Sequence, residues 1–214
     1  MSLAMTGVGH HYGDGPAVLS GIDLEVGAGE TVAIVGPSGS GKTTLLSILG
    51  GLLRPSEGSV SLDGEPVGTR PLPPGAVSWI FQTINLLGKR SALANVVVGQ
   101  LAIGKPHPEA ISAAIPMLRA VGLDGMENQL AMQLSGGQAQ RAGIARALVG
   151  NPRYVLADEP TGQLDRTTSA MTAEILFGAR PPATSIITAT HDPIIFERCQ
   201  RRLALVDGRL QDMQ

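Results

Sequence analysis

One stretch, Gly36-Pro37-Ser38-Gly39-Ser40-Gly41-Lys42-Thr43 with Thr44 behind it, has the spacing Gly, four residues, Gly-Lys-Thr. Glycines so placed let the backbone curl with successive N–H groups turned inward and no Cβ atoms in the way. A helix beginning straight afterwards adds unpaired N–H groups and a positive dipole end. That chemistry suits an anion, and a phosphate chain in particular. Lys42 can reach β- and γ-phosphates, and the Thr43 hydroxyl can hold Mg²⁺. The flanks agree. Thr31-Val32-Ala33-Ile34-Val35 reads as a short apolar strand buried on both faces, and Thr44-Leu45-Leu46-Ser47-Ile48-Leu49 as the first turns of a helix. A bare glycine-rich turn with a solvated lysine leaves the lysine, the hydroxyl and the strand–helix context unexplained together, so the expectation is a nucleotide.

A second anion site lies far away in sequence. Leu134-Ser135-Gly136-Gly137-Gln138 precedes a helix read over 139–149. Ser135 is a good N-cap, and Gly136 and Gly137 expose backbone N–H groups at the helix start. Then Val155-Leu156-Ala157-Asp158-Glu159-Pro160 is an apolar strand ending in two carboxylates. Charge at the end of a buried strand is costly unless a cation or substrate answers it. Asp158 is placed to bind Mg²⁺, directly or through water. Glu159 can polarise a water for attack on a γ-phosphate, as general base or water positioner. Thr190-His191-Asp192 follows another strand; alone, His191 reads as a structural histidine or as a phosphate contact.

The elements needed to hold these groups are legible in outline. Through Val26 the chain reads as short strands broken by Gly-rich turns, such as Gly13-Asp14-Gly15-Pro16. Tyr12, just before that turn, can stack on a purine or pack at a strand end. Further strands are read at Gly58 to Leu62, ending in a turn at Gly64, and at Val77-Ser78-Trp79-Ile80-Phe81, closed by Gln82. Residues 64–75 are rich in Pro and Gly and read as a surface loop. From about 84 to 150 helical signals take over. Ile111, Ile115 and Leu118 repeat at helical spacing behind Pro108, which suits a first helical position, and Pro116 predicts a kink or break. Gly143 costs about 0.5–1 kcal/mol relative to Ala and is expected to ease close packing. Strand–helix alternation resumes with Tyr154-Val155-Leu156-Ala157, a helix at about 165–178, the strand Thr184-Ser185-Ile186-Ile187-Thr188-Ala189, and Arg202-Leu203-Ala204-Leu205-Val206 before a turn at Asp207-Gly208. The alternation implies an α/β fold, a mainly parallel sheet flanked by helices with a helical lobe inserted.

Composition narrows the classes. The chain has 214 residues, enough for one ordinary domain with a sizeable core. Its 16 basic and 18 acidic residues leave a net charge of −2, so no bulk field points to nucleic acid or an anionic membrane. Aromatics at 3% argue against a base-stacking platform for single strands. The lone Cys199 excludes an internal disulfide and suits a reducing compartment. The start, Met1-Ser2-Leu3-Ala4-Met5, lacks a signal-peptide pattern, and no apolar run approaches the ~20 residues of a spanning helix. The richest, from Leu93 to Ile103, is short and carries Asn95 and Gln100. A soluble cytoplasmic chain is expected, meeting a membrane only through a partner.

Taken in order, these motifs resemble the nucleotide-binding subunit of an ATP-binding-cassette (ABC) transporter, over nearly all of the chain. Tyr12 matches the aromatic position that stacks on adenine, Gly36 to Thr44 match Walker A, and Gln82 matches the glutamine loop. Leu134 to Gln138 match the family signature, Asp158 and Glu159 match Walker B, Leu164-Asp165 match the end of the D-loop, and His191 matches the histidine switch. The resemblance implies a P-loop NTPase of ABC type: a mainly parallel core with an N-terminal antiparallel β subdomain and an inserted α-helical subdomain. It implies one domain over 1–214, with 1–83 and 151–214 as nucleotide-binding core and about 84–150 as the helical part. ATP and Mg²⁺ are the implied cofactors, with Gln82 reaching Mg²⁺ or the attacking water and His191 the γ-phosphate. Two subunits, identical or paralogous, meet head to tail in this family, each ATP lying between one Walker A and the other's signature. The implied partner is an integral membrane permease, on the inner face of the cell membrane.

Within the family, Asp158-Glu159-Pro160-Thr161-Gly162-Gln163-Leu164-Asp165 is similar to the lipoprotein-release, macrolide-export and cell-division type. So are Ile80-Phe81-Gln82, Leu86-Leu87 and Ala92-Leu93-Ala94-Asn95-Val96. That type implies an exporter or a force-transmitting system. Gln163 replaces the usual Asn, and Gly88 and Ala94 stand where Pro and Glu are common. Two other readings fit the same cassette motifs less well. A soluble ABC ATPase of the iron–sulfur scaffold type is disfavoured by the Thr161 to Asp165 run. A regulator without turnover is disfavoured by the intact Glu159 and His191. No basic patch supports nucleic acid.

Overall fold

The structure is a computed structural model that describes residues 2–67 and 72–213. It divides into two compact units, Met1–Pro73 with Ser185–Gln214, and Pro74–Thr184. The first opens with β1 (Ser2–His11), β2 (Ala17–Gly27), β3 (Thr31–Val35), α1 (Lys42–Leu49), β4 (Glu57–Leu62) and β5 (Glu65–Val67). The second holds β6 (Val77–Ile80), α2 (Ala92–Leu101), α3 (His107–Ala120), a 3-10 turn at Ala131–Gln133, α4 (Gly136–Leu148), β7 (Tyr154–Asp158) and α5 (Arg166–Gly178). The chain then returns to the first unit with β8 (Ser185–Ala189), α6 (Pro193–Phe196), β9 (Arg201–Val206) and β10 (Arg209–Asp212).

In the first unit an antiparallel sheet runs in the order β2-β1-β4-β5. Leu19, Ile22, Leu24 and Val26 of β2 are buried between more exposed neighbours, as in a sheet with one face on the core. The opening is not a set of short strands but two, of 10 and 11 residues. Register shifts in β1 between Met5 and Val8, Val8 and His10, and His10 and His11 absorb the glycines as bulges instead of ending the strand. The unit's second sheet places β3 between β8 and β9, parallel to both. Strand β8 is wholly buried and β3 nearly so, which explains why neither carries a charged residue. On α1, Leu45, Leu46 and Leu49 have no exposed surface and Ile48 only 1%. Each such side chain contributes about 1.5–3 kcal/mol to holding the helix, which packs on β8 and β1.

Two strands escaped the sequence reading. Residues 65–67 form β5 rather than loop, pairing Val60 with Val67 and Leu62 with Glu65. Pro66 is tolerated because β5 is an edge strand and needs no donor on its outer side; residues 68–71 of the expected loop lie outside the described residues. Strand β10 pairs antiparallel with β9 across the Asp207-Gly208 turn, whose φ values of 47° and 71° fit the hairpin turn that Asp-Gly favours.

In the second unit β6 lies parallel to β7, with Val77 opposite Tyr154 and Ile80 opposite Ala157. Helix α3 starts one residue earlier than expected and does not break at Pro116. His107 is its first residue and Pro108 its second, and it runs past Pro116 to Ala120. Pro116 is exposed, so the carbonyl its missing N–H would have engaged can face water. The buried stripe is Ala110, Ala114 and Leu118, with Ile111 and Ile115 only half-buried. Helix α4 begins at Gly136, three residues before the expected start at 139, and ends at Leu148. Gly143 does not ease packing: a Cβ there would meet nothing within 4 Å. It lines a shallow groove with Trp79, Phe81, Gln140 and Arg146. Close approach occurs instead at Gly99 of α2, where a Cβ would collide with the Arg146 carbonyl and stand 2.8 Å from Val149 Cγ1.

Candidate functional site

The first unit carries the phosphate loop. Its glycines are required by shape at both ends. A Cβ on Gly36 would stand 2.6 Å from the Leu205 carbonyl oxygen and 2.7 Å from Ser40 Oγ. Gly41, at φ 99°, would press its Cβ to 3.0 Å from Val18 Cγ1. Between them the Ser40 N–H donates to the Pro37 carbonyl at 3.2 Å, closing a turn whose outer residues Pro37, Ser38 and Gly39 are exposed. Gly41 is also the N-cap of α1, and no side chain caps that helix. A helix start without a side-chain cap is the arrangement in which backbone N–H groups can take an anion. Lys42 folds its ammonium back to donate to the carbonyls of Gly36 at 2.8 Å and Pro37 at 3.0 Å. Thr43 is exposed in the first turn, and Thr44 behind it is buried.

Two more predicted residues belong to this unit. Tyr12, 56% exposed, holds its hydroxyl 3.1 Å from Thr44 Oγ1 and meets the ring of His10 edge to face. His191 follows β8, the parallel neighbour of β3, so it leaves the same sheet end from which the phosphate loop springs. Ligands of parallel sheets bind at that end. The segment is fixed from both sides of the histidine. The Thr190 N–H donates to the Ile34 carbonyl at 3.1 Å, and Asp192 caps α6 by accepting from the Ile194 N–H at 3.0 Å. His191 itself is exposed.

In the second unit Gln82 and the Asp158–Glu159 pair leave the adjacent ends of β6 and β7. All five residues of β7 are buried, Asp158 at 8% exposure. Glu159 takes φ 45°, a left-handed conformation, and its carbonyl accepts from the Gly162 N–H at 3.1 Å. A Cβ on Gly162 would meet Glu159 Cβ at 3.4 Å and Gln82 Nε2 at 3.8 Å, so the glutamine side chain rests beside this turn. The signature forms the start of α4 as a capping box. The Gln138 N–H donates to Ser135 Oγ at 3.3 Å, and the Ser135 N–H donates to Gln138 Oε1 at 2.9 Å. Gly136 and Gly137 occupy the first turn; a Cβ on Gly137 would stand 2.6 Å from Thr168 Cγ2.

Three supports were not read from sequence. Asp165 is the N-cap of α5, accepting from the backbone N–H groups of Thr167 and Thr168. Hydrogen bonds from the Thr168 hydroxyl and then its N–H hold its carboxyl below the usual range. Asn95, fully buried at the start of α2, binds the loop after the glutamine. It accepts from the Leu87 N–H at 2.7 Å and donates to the carbonyls of Leu87 and Ser91 at 3.2 and 3.0 Å. Arg146 of α4 donates to the Asn85 carbonyl at 2.5 Å, and burial lowers its pKa from the usual guanidinium value. The signal for Asn95 was present, an amide inside an apolar run; Arg146 offered none.

The sequence profile described as ABC transporter matches residues 19–162. The chain belongs to the ABC transporter family. This cassette is similar to the lipoprotein-releasing system ATP-binding protein LolD of Bordetella pertussis, at 44% identity over 95% of the chain and 93% of the relative. To the LolD of Anaeromyxobacter dehalogenans it is 43% identical, over 98% and 92%. It is 42% identical to the uncharacterized ABC transporter ATP-binding protein YbbA of Escherichia coli K12, over 92% and 89%. Among solved structures, the dimeric MJ0796 cassette superposes with a TM-score of 0.87 at 31% identity, covering 99% of each chain. A post-hydrolysis state of MJ0796 bound to ADP and Pi gives 0.86 at 31% identity, over 99% of this chain and 97% of that one. The ABC cassette is an ATPase with the P-loop ABC fold that the motifs implied.

Proposed function

We propose that the cassette binds ATP with Mg²⁺, pairs with a second copy or a paralogue, and powers a membrane permease from the inner face of the cell membrane. The uncapped, glycine-started α1 beneath Lys42 carries this reading, since its N–H donors suit the oxygens of a phosphate chain. The loop from Gly36 to Thr44 would hold the phosphates, Lys42 neutralising the β- and γ-groups, and Tyr12 would take the adenine. Thr43, Asp158 and Gln82 would hold Mg²⁺, since each offers the kind of hard oxygen that ion takes. When bound, the ion neutralises charge developing on the phosphates. Glu159 would orient or deprotonate the attacking water, and His191 would hold the γ-phosphate. Ser135, Gly136, Gly137 and Gln138 would close over the ATP of the partner subunit. The dimeric MJ0796 structure supports the pairing, and similarity to LolD supports a permease partner of the lipoprotein-releasing kind.

The test uses Glu159→Gln with saturating ATP and Mg²⁺. Hydrolysis should fall at least tenfold while light scattering finds a dimer that the wild type forms only transiently. A monomer persisting in the mutant would refute the shared site. Equally slow hydrolysis by both proteins would point to a regulator instead.

A further inference from the structure

We propose that His10 is a positioning residue for the nucleotide base, acting through Tyr12; this rests on the reading of Tyr12 as the base platform. His10 and Tyr12 stand two apart in sequence where β1 ends, and the register shift between His10 and His11 re-aims the chain there. The His10 side chain is 8% exposed. Its Nδ1 lies 3.3 Å from Ser56 Oγ, which also accepts from the His11 N–H at 3.3 Å. The Ser56 N–H in turn donates to the Gly9 carbonyl at 2.9 Å, so the serine is itself held. Nε2, by contrast, is buried with no polar partner among the described residues.

A buried imidazole nitrogen without a partner is uncommon and costs stability. What the ring meets instead is Tyr12, with centroids 4.7 Å apart and planes at 89°. That edge-to-face arrangement is favourable for aromatic pairs. Tyr12 is held a second time by its hydroxyl, 3.1 Å from Thr44 Oγ1 on α1. A ring 56% exposed would ordinarily be free to turn. Held on one side by the His10 ring and at its tip by the phosphate-loop helix, it loses little freedom when a base lands on it. His10 thereby sets the angle of the platform relative to the loop, so that one ligand meets both.

The experiment compares MgADP with inorganic pyrophosphate, which has phosphates and no base, by calorimetric titration of the whole chain. His10→Leu is expected to weaken ADP two- to tenfold, the range an edge-to-face pair implies, and to leave pyrophosphate within twofold. His10→Gln, which can keep the Ser56 bond but offers no ring, should behave like His10→Leu and serves if the leucine variant folds poorly. His10→Phe, which keeps a ring and loses the bond, should restore most of the ADP affinity. Equal weakening of both ligands would overturn the proposal in favour of a purely structural histidine. Unchanged ADP binding by the His10 variants beside a tenfold loss in Tyr12→Ala would overturn it while leaving the platform intact. If Tyr12→Ala also binds ADP normally, the platform reading falls and the proposal with it.

Discussion

Among the described residues, Asp63, Asn151, Asp207 and Glu159 are the non-glycine positions with positive φ. Three are Asp or Asn, whose short polar side chains tolerate that region; a glutamate does not share the excuse. Glu159 is held there by the wholly buried β7 before it and the turn to Gly162 after it. Strain of this kind gathers where a side chain must be aimed. Comparing two variants that both lose the carboxylate isolates the backbone component. Glu159→Gly should be more stable than Glu159→Ala by about 1 kcal/mol, both failing to hydrolyse ATP, because glycine accepts the left-handed conformation and alanine does not. Urea unfolding measures the difference; an alanine variant as stable as the glycine one would remove the strain argument.

Elements place these residues by starting and stopping in particular spots, and α2 shows how. Its buried Asn95 ties down the loop that follows Gln82 through Leu87 and Ser91. Asn95→Ala takes away the acceptor of the Leu87 N–H, while the Leu87, Arg90 and Ser91 carbonyls keep the N–H groups of Arg90, Ala131 and Asn95, for a loss of about 1–2 kcal/mol. Denaturant titration should register it, with faster amide exchange at 87–91; a loss under about 0.5 kcal/mol would mean water takes the amide's place. Strands β3, β7 and β8 were legible because burial on both faces demands mostly apolar runs, and a phosphate loop or an Asp-Glu pair at such a strand's end is conspicuous. Strands β5 and β10 were not, since they are held by pairing with β4 and β9 rather than by any apolar pattern of their own. The start of α4 was misplaced because two glycines look like loop, yet the Ser135–Gln138 box fixes the helix ahead of them. Pro116 does not break α3, because local sequence records the lost hydrogen bond but not that the position faces solvent.

At the scale of the molecule, the lone thiol makes the fold sensitive to alkali. Cys199 is 4% exposed, and burial raises its pKa from 9.0 to about 12 against the opposing pull of Arg202. The folded state therefore prefers the neutral thiol. That preference is fully available below the ordinary value of 9.0 and is lost as pH rises towards about 12. Unfolding free energy should drop across this window in the wild type and drop less in Cys199→Ala. A thiol reagent at pH 8 should label Cys199 only on unfolding, and prompt labelling of native protein would contradict the burial. Finally, α1 begins without a side chain to close its first turn. Part of the cohesion of this molecule is therefore on loan from its ligand: once sites are saturated, each further tenfold of free nucleotide adds about 1.4 kcal/mol to the folded state. Energy supply and durability become a single variable, and a starved cassette is also a more fragile one.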